Sequence, residues 1–133
     1  MKLQITLVIG FLLITAVCLA EPIAHNNAGS PRFENRCGWF ANPTPANAWF
    51  YDRDGEWIIG VQGGHLAEGD WPDVKPRQWV RTNVGDYGYG CSCMRARVNK
   101  QTHEVLEIKS SRGRTLAQCR NDPVLKKWAR MFK

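Results

Sequence analysis

The sequence contains no Gly-x-Ser-x-Gly elbow, no phosphate-binding loop and no dinucleotide fingerprint. Those absences remove the usual sequence signs of a serine hydrolase, a nucleotide hydrolase and a nicotinamide enzyme. No internal repeat is present. Histidine is scarce, at three residues, and His25 and His103 fall in polar or turn-like stretches with nothing to orient them. Asp52, Asp54 and Glu56 crowd one turn, but glycine comes at the fourth position. No bidentate glutamate follows at the twelfth, so the calcium-binding EF loop is excluded and a solvated turn tempered by Arg53 is expected.

Long apolar runs are also missing, with one exception. Met1-Lys2 precedes an apolar run from Leu3 to Leu19 that exits through Cys18-Leu19-Ala20. This is the layout of a secretory signal peptide, with cleavage expected after Ala20. An uncleaved anchor is the first competing reading, because the run sits at the lower edge of a membrane span. Acylation at Cys18 is the second, and Val17 disfavours it where a small residue is wanted. Cleavage gives residues 1–20 as leader, 21–35 as a flexible lead-in and 36–133 as a single domain. The mature protein is then secreted or periplasmic and not embedded in a membrane.

Cys18 leaves with the leader, and Cys37, Cys91, Cys93 and Cys119 remain. An even count in a short exported domain reads as a disulfide framework. Residues i and i+2 of a strand lie about 6.5–7 Å apart, so a direct Cys91–Cys93 bridge would be strained. Three pairings are possible. The two that join Cys91 and Cys93 separately to Cys37 and Cys119 are preferred.

Charge divides the mature chain. Residues 21–94 hold 6 basic and 9 acidic side chains, whereas 95–133 hold 11 basic and 3 acidic. A basic patch of this kind suits an anionic surface or an acidic protein, or is simply a solvated face. Export argues against nucleic acid as partner.

The coarse pattern is that of an α+β protein, a small antiparallel sheet built from hairpins with a short C-terminal helix. Ala48–Tyr51 and Glu56–Ile59 flank Asp52-Arg53-Asp54-Gly55 as a hairpin. Cys37–Phe40 reads as a short strand broken by Asn42-Pro43-Thr44-Pro45. Gly60–Pro76 reads as a long ordered loop pinned by Trp71, opening on a possible short strand at Val61-Gln62, and Gln78–Val80 as a further short strand. In the second hairpin Cys91, Cys93, Arg95 and Arg97 share one face, with Ser92, Met94, Ala96 and Val98 on the other. Its return strand, Glu104–Lys109, sends Leu106 and Ile108 to the core. Asp122 caps a helix starting at Pro123, with Leu125, Trp128, Ala129 and Phe132 as its apolar stripe.

Several ordered motifs accompany this pattern: Arg36-Cys37-Gly38-Trp39-Phe40, Asp52-Arg53-Asp54-Gly55-Glu56-Trp57, Gly60-Val61-Gln62-Gly63-Gly64, Asp70-Trp71-Pro72, Tyr87-Gly88-Tyr89-Gly90-Cys91-x-Cys93, and Gln118-Cys119-Arg120-x-Asp122-Pro123. With them the chain resembles a bacterial family of small exported proteins classed as a domain of unknown function, over about residues 36–128. The resemblance implies export from a bacterial cell and carries no chemistry.

Five tryptophans lie between residues 39 and 79. They either fill the core of a small domain or form a platform for sugar or peptide. Trp49 and Tyr51 share a strand face opposite to Phe50. The candidate binding residues are therefore Trp49, Tyr51, Trp57, His65 and Trp71. The leading reading is a non-enzymatic binding module, acting as a monomer on an envelope protein or glycan, or inhibiting a secreted hydrolase, with no cofactor and no metal. One alternative is an enzyme using His65 with Glu68 or Asp70 in the 60–76 loop. The other is thiol–disulfide chemistry at Cys91 and Cys93.

Overall fold

The computed structural model describes residues 32–133. The leader, its cleavage point and residues 21–31 of the lead-in lie outside the described residues. Six strands follow in chain order: β1 (Glu34–Thr44), β2 (Asn47–Tyr51), β3 (Glu56–Gly60), β4 (Trp79–Arg81), β5 (Gly88–Asn99) and β6 (Glu104–Arg114). One helix, α1 (Leu116–Asn121), and two 3₁₀ segments, Pro76–Gln78 and Pro123–Trp128, complete the set. Among the described residues no helix is long and apolar enough to cross a membrane.

The sheet closes on itself. Its order is β1-β2-β3-β6-β5-β4, and β1 also pairs with β5 from Glu34↔Ala96 to Asn42↔Gly88. A ring of β1, β2, β3, β6 and β5 results, with β4 added beside the start of β5. All pairings are antiparallel except β3 with β6, which meet in parallel at Ile58↔Glu104. The product is a small α+β protein built on a five-stranded barrel.

Strand alternation divides the side chains between two cores. Phe40, Ala48, Phe50, Trp57, Ile59, Met94, Ala96, Val98, Val105 and Ile108 point inward and are buried. Trp39, Ala41, Tyr51, Tyr89 and Cys91 face outward, where Cys119, Leu125 and Phe132 of the C-terminal segment cover them. Phe132 stacks on Trp39 with centroids 5.0 Å apart and meets Tyr51 and Tyr89 edge-on. The disulfides join Cys37 to Cys93 and Cys91 to Cys119. The first links directly paired residues of β1 and β5, and the second ties α1 to the barrel wall. Cys91 and Cys93 thus have different partners, and no redox pair exists between them.

The hairpin of β2 and β3 forms at the expected turn. Elsewhere the structure departs from the sequence pattern for identifiable reasons. β1 continues through Pro43, because pairing with β5 has ended at Asn42 and the β1–β2 register shifts between Ala41 and Thr44. No ladder hydrogen bond is needed from the proline there. Val61-Gln62 is not a strand. On β6 it is Val105, not Leu106, that joins Ile108 in the interior. Leu106 and Lys109 are the extra residues of two bulges, between Val98↔Val105 and Arg97↔Glu107 and between Ala96↔Ile108 and Arg95↔Ser110. The α-helix precedes Asp122: Thr115 and Gln118 form a capping box that starts α1. Asp122 does cap the next segment, accepting from Val124 N–H, but that segment is 3₁₀.

Candidate functional site

The Gly-rich loop is held to the barrel through the bulged part of β6. Glu68 N–H donates to Leu106 O at 2.9 Å, and Ile108 N–H donates to Glu68 O at 2.8 Å. Gly69, at φ +86°, sits so close to Ile108 that a Cβ would lie 2.1 Å from its carbonyl oxygen. Trp71 packs against the interior cluster and over Gly60, as a pin for the loop. His65 turns to β6, with Nε2 2.8 Å from Val105 O and Nδ1 3.9 Å from the Glu104 carboxylate. It has no hydrogen bond or ion pair with Glu68 or Asp70. Among the described residues no three His, Cys, Asp or Glu side chains gather as metal ligands.

Trp57 is 2 % exposed and belongs to the interior, so it offers no binding surface. Its indole N–H donates to Asp52 Oδ1 at 3.0 Å, and its ring lies between Arg36, 4.1 Å from the centroid, and His103. Asp52 is likewise buried. The expected solvated turn is instead organised around it, because Oδ1 also accepts from the N–H groups of Asp54 and Gly55 while Oδ2 binds Arg36. Burial alone would lower the Arg36 pKa, but hydrogen bonds and charge from Asp52 and Glu34 override it and hold the pKa above its ordinary value.

Trp49 and Tyr51 are brought together with residues distant in sequence. They form one side of an open cleft of about 340 Å³, with Tyr89 and Phe132 as further aromatic lining and Glu56 and Thr82 as polar lining. Tyr51, Tyr89 and Phe132 are buried behind it, whereas Trp49 is partly exposed and Met131 is exposed. Tyr51 lies opposite Glu56 in the β2–β3 ladder. Burial first, and the Glu56 charge second, push its phenol pKa up to about 12. The Trp57, Trp79 and Trp128 indoles donate to Asp52 Oδ1, Asp86 O and Asp52 O, while the Trp39, Trp49 and Trp71 N–H groups have no acceptor among the described residues, and of these three Trp49 lines the cleft. Alternation marked Trp49 and Tyr51 in the sequence. Tyr89 and Phe132 carried no such signal, since they arrive through β5 pairing and the C-terminal fold-back.

A second cleft of about 390 Å³ joins Phe40 and Trp79 to Asn42, Asp73, Arg81 and Asp86. Arg81 and Asp86 are bridged at 2.7 Å and Trp79 donates to Asp86 O, so its polar groups are largely engaged with each other.

No curated protein and no solved structure matches the chain. Residues 31–126 match the family described as "Protein of unknown function (DUF4087)", and that span takes in all six strands and α1. The chain belongs to this family.

Proposed function

We propose that the protein is an exported bacterial module that binds a glycan, without enzymatic activity, through the cleft at Trp49. The observation that carries the reading is the Trp49 side chain itself: partly exposed, with an unused indole N–H, beside Glu56 and Thr82. A flat ring with a polar edge stacks on a sugar face, and flanking carboxylate and hydroxyl groups take up sugar hydroxyls. Some small five-stranded barrels bind oligosaccharides on the face of their second and third strands, and Trp49 and Glu56 stand on β2 and β3. Two disulfides suit an oxidising compartment, and cleavage after Ala20 would deliver the domain to the periplasm or beyond. An envelope protein, including a secreted hydrolase to be inhibited, is the competing occupant.

The test is a pull-down from a bacterial envelope extract with the mature domain and its Trp49→Ala variant as baits, followed by titration of isolated envelope glycans against tryptophan emission. Glycan retained by the parent and lost from the variant supports the reading. Retention of a protein alone, equal retention by both baits, or no specific partner overturns it.

A further inference from the structure

The outer face of β1, β5 and β6 carries a further pocket, of about 440 Å³, beside the Cys37–Cys93 disulfide. Asn35, Arg95, Ser110, Ser111 and Arg112 supply its polar lining, and no residue is shared with the Trp49 cleft. Its register is set by the ladders: Arg95 pairs with Asn35 on one side and Ser110 on the other, while Arg112 pairs with Cys93. The two arginines are therefore diagonal neighbours on adjacent strands, close enough for their charges to repel.

Nothing among the described residues neutralises them. Among the described residues neither guanidinium has a carboxylate within ion-pair distance. The nearest acids along the strands are already engaged: Glu34 binds Arg36 and Lys100, and Glu107 binds Arg97 at 2.6 Å. Lys109 adds a third exposed cation, directed at the Phe33 ring that Arg95 also approaches. The Ser110 hydroxyl has no hydrogen-bond partner among the described residues. Two guanidiniums without a carboxylate, the Ser110 hydroxyl and the Asn35 amide thus face one pocket, while Ser111, paired with inward-pointing Met94, turns its side chain the other way.

We infer that this pocket is an oxyanion site that takes a phosphoryl group. Guanidinium forks bind phosphoryl oxygens two at a time, and hydroxyl and amide donors complete such a shell. The pocket exceeds a bare phosphate, which occupies on the order of 100 Å³ if it is counted as a few waters of about 30 Å³ each. We take the group to be carried on a larger soluble molecule such as a sugar phosphate, for which the open pocket leaves room. The inference stands on the β1–β5–β6 face alone and survives failure of the Trp49 reading.

The experiment is titration of ¹⁵N-labelled protein with inorganic phosphate, glucose 6-phosphate and phosphatidylglycerol vesicles, each against chloride at matched ionic strength. Phosphate and glucose 6-phosphate are expected to move the Ser110, Ser111 and Arg112 amide signals, with the sugar phosphate acting at least tenfold lower in concentration. Equal potency would assign the site to free phosphate, and broadening by vesicles at lower phosphate content would assign it to a lipid headgroup. Arg95→Gln/Arg112→Gln should abolish the shifts. Both side chains are exposed, so near-ultraviolet circular dichroism should match the parent. Arg112→Lys, which keeps charge but loses the fork, should weaken binding several-fold. Shifts no larger than those from chloride, or undiminished binding by the double variant, would overturn the inference.

Discussion

Arg36 Nη1 lies 2.6 Å from Asp52 Oδ2, and both side chains are at most 3 % exposed. Arg36 points inward from β1, between paired Met94 and the stacked Trp57 ring, so the barrel closes one end over a cation. Asp52 matches that cation with one oxygen and organises the β2–β3 turn with the other. The ion pair therefore couples barrel closure to hairpin geometry. Glu34 and Asp54 also reach Arg36, from positions open to solvent.

Asp52→Asn should consequently destabilise the fold by about 3 kcal/mol, at the lower end for breaking a buried pair because Glu34 and Asp54 remain. Urea unfolding should show a lower midpoint at unchanged slope. Arg36→Met/Asp52→Asn should lose less than the two single variants combined, since no buried charge is left alone. A loss below about 1 kcal/mol in Asp52→Asn would mean that the outer carboxylates suffice.

This pair also shows where the sequence stops being readable. The Asp-Arg-Asp-Gly turn, the β2–β3 hairpin and the β5 alternation are local patterns, and they are visible in the chain. Burial of Asp52 depends on Arg36, 16 residues earlier, and charged residues in a turn ordinarily stay solvated. Ring closure through β1–β5 and the parallel contact of β3 with β6 are non-local and leave no local periodicity. The bulges at Leu106 and Lys109 exchanged Leu106 for Val105 in the core by breaking the period of two. The start of α1 was legible, since Thr115-x-x-Gln118 is a capping-box pattern, but the stronger proline signal at Pro123 drew the helix too late. In the cleft, Trp49 and Tyr51 could be read from strand alternation. Tyr89 and Phe132 could not, because only tertiary packing brings them there.

The two disulfides should differ in lability. Cys37 is exposed and Cys93 partly so, whereas Cys91 and Cys119 are each 3 % exposed beneath the C-terminal segment. Exchange requires a thiolate to reach a sulfur, so access sets the order. Limited reduction of the native protein, followed by alkylation and peptide mass spectrometry, should label Cys37 and Cys93 first. The remaining Cys91–Cys119 bond closes a shorter loop yet still contributes about 3–4 kcal/mol in the chain-entropy picture, so the singly reduced protein should stay folded. Labelling of Cys91 and Cys119 first would show that the C-terminal segment opens before the outer disulfide is attacked.

Tyr51 gives the Trp49 cleft a pH signature. Its phenol has a folded pKa raised to about 12 from 10.0, by burial and then by Glu56. A raised folded value means that the folded state holds the proton more tightly than the unfolded chain. The contribution is complete below pH 10 and is lost as pH rises from 10 toward 12. Alkaline difference absorbance, compared with Tyr51→Phe, should therefore assign the missing transition to the highest-pH part of the parent curve. Over the same window the parent's urea midpoint should fall more steeply than the variant's. Tyr51→Phe/Glu56→Gln would leave that variant's curve unchanged, while Glu56→Gln alone should move the Tyr51 transition downward. A Tyr51 transition near pH 10 in the folded parent would mean that water reaches the phenol, and the wall behind Trp49 would then be wet.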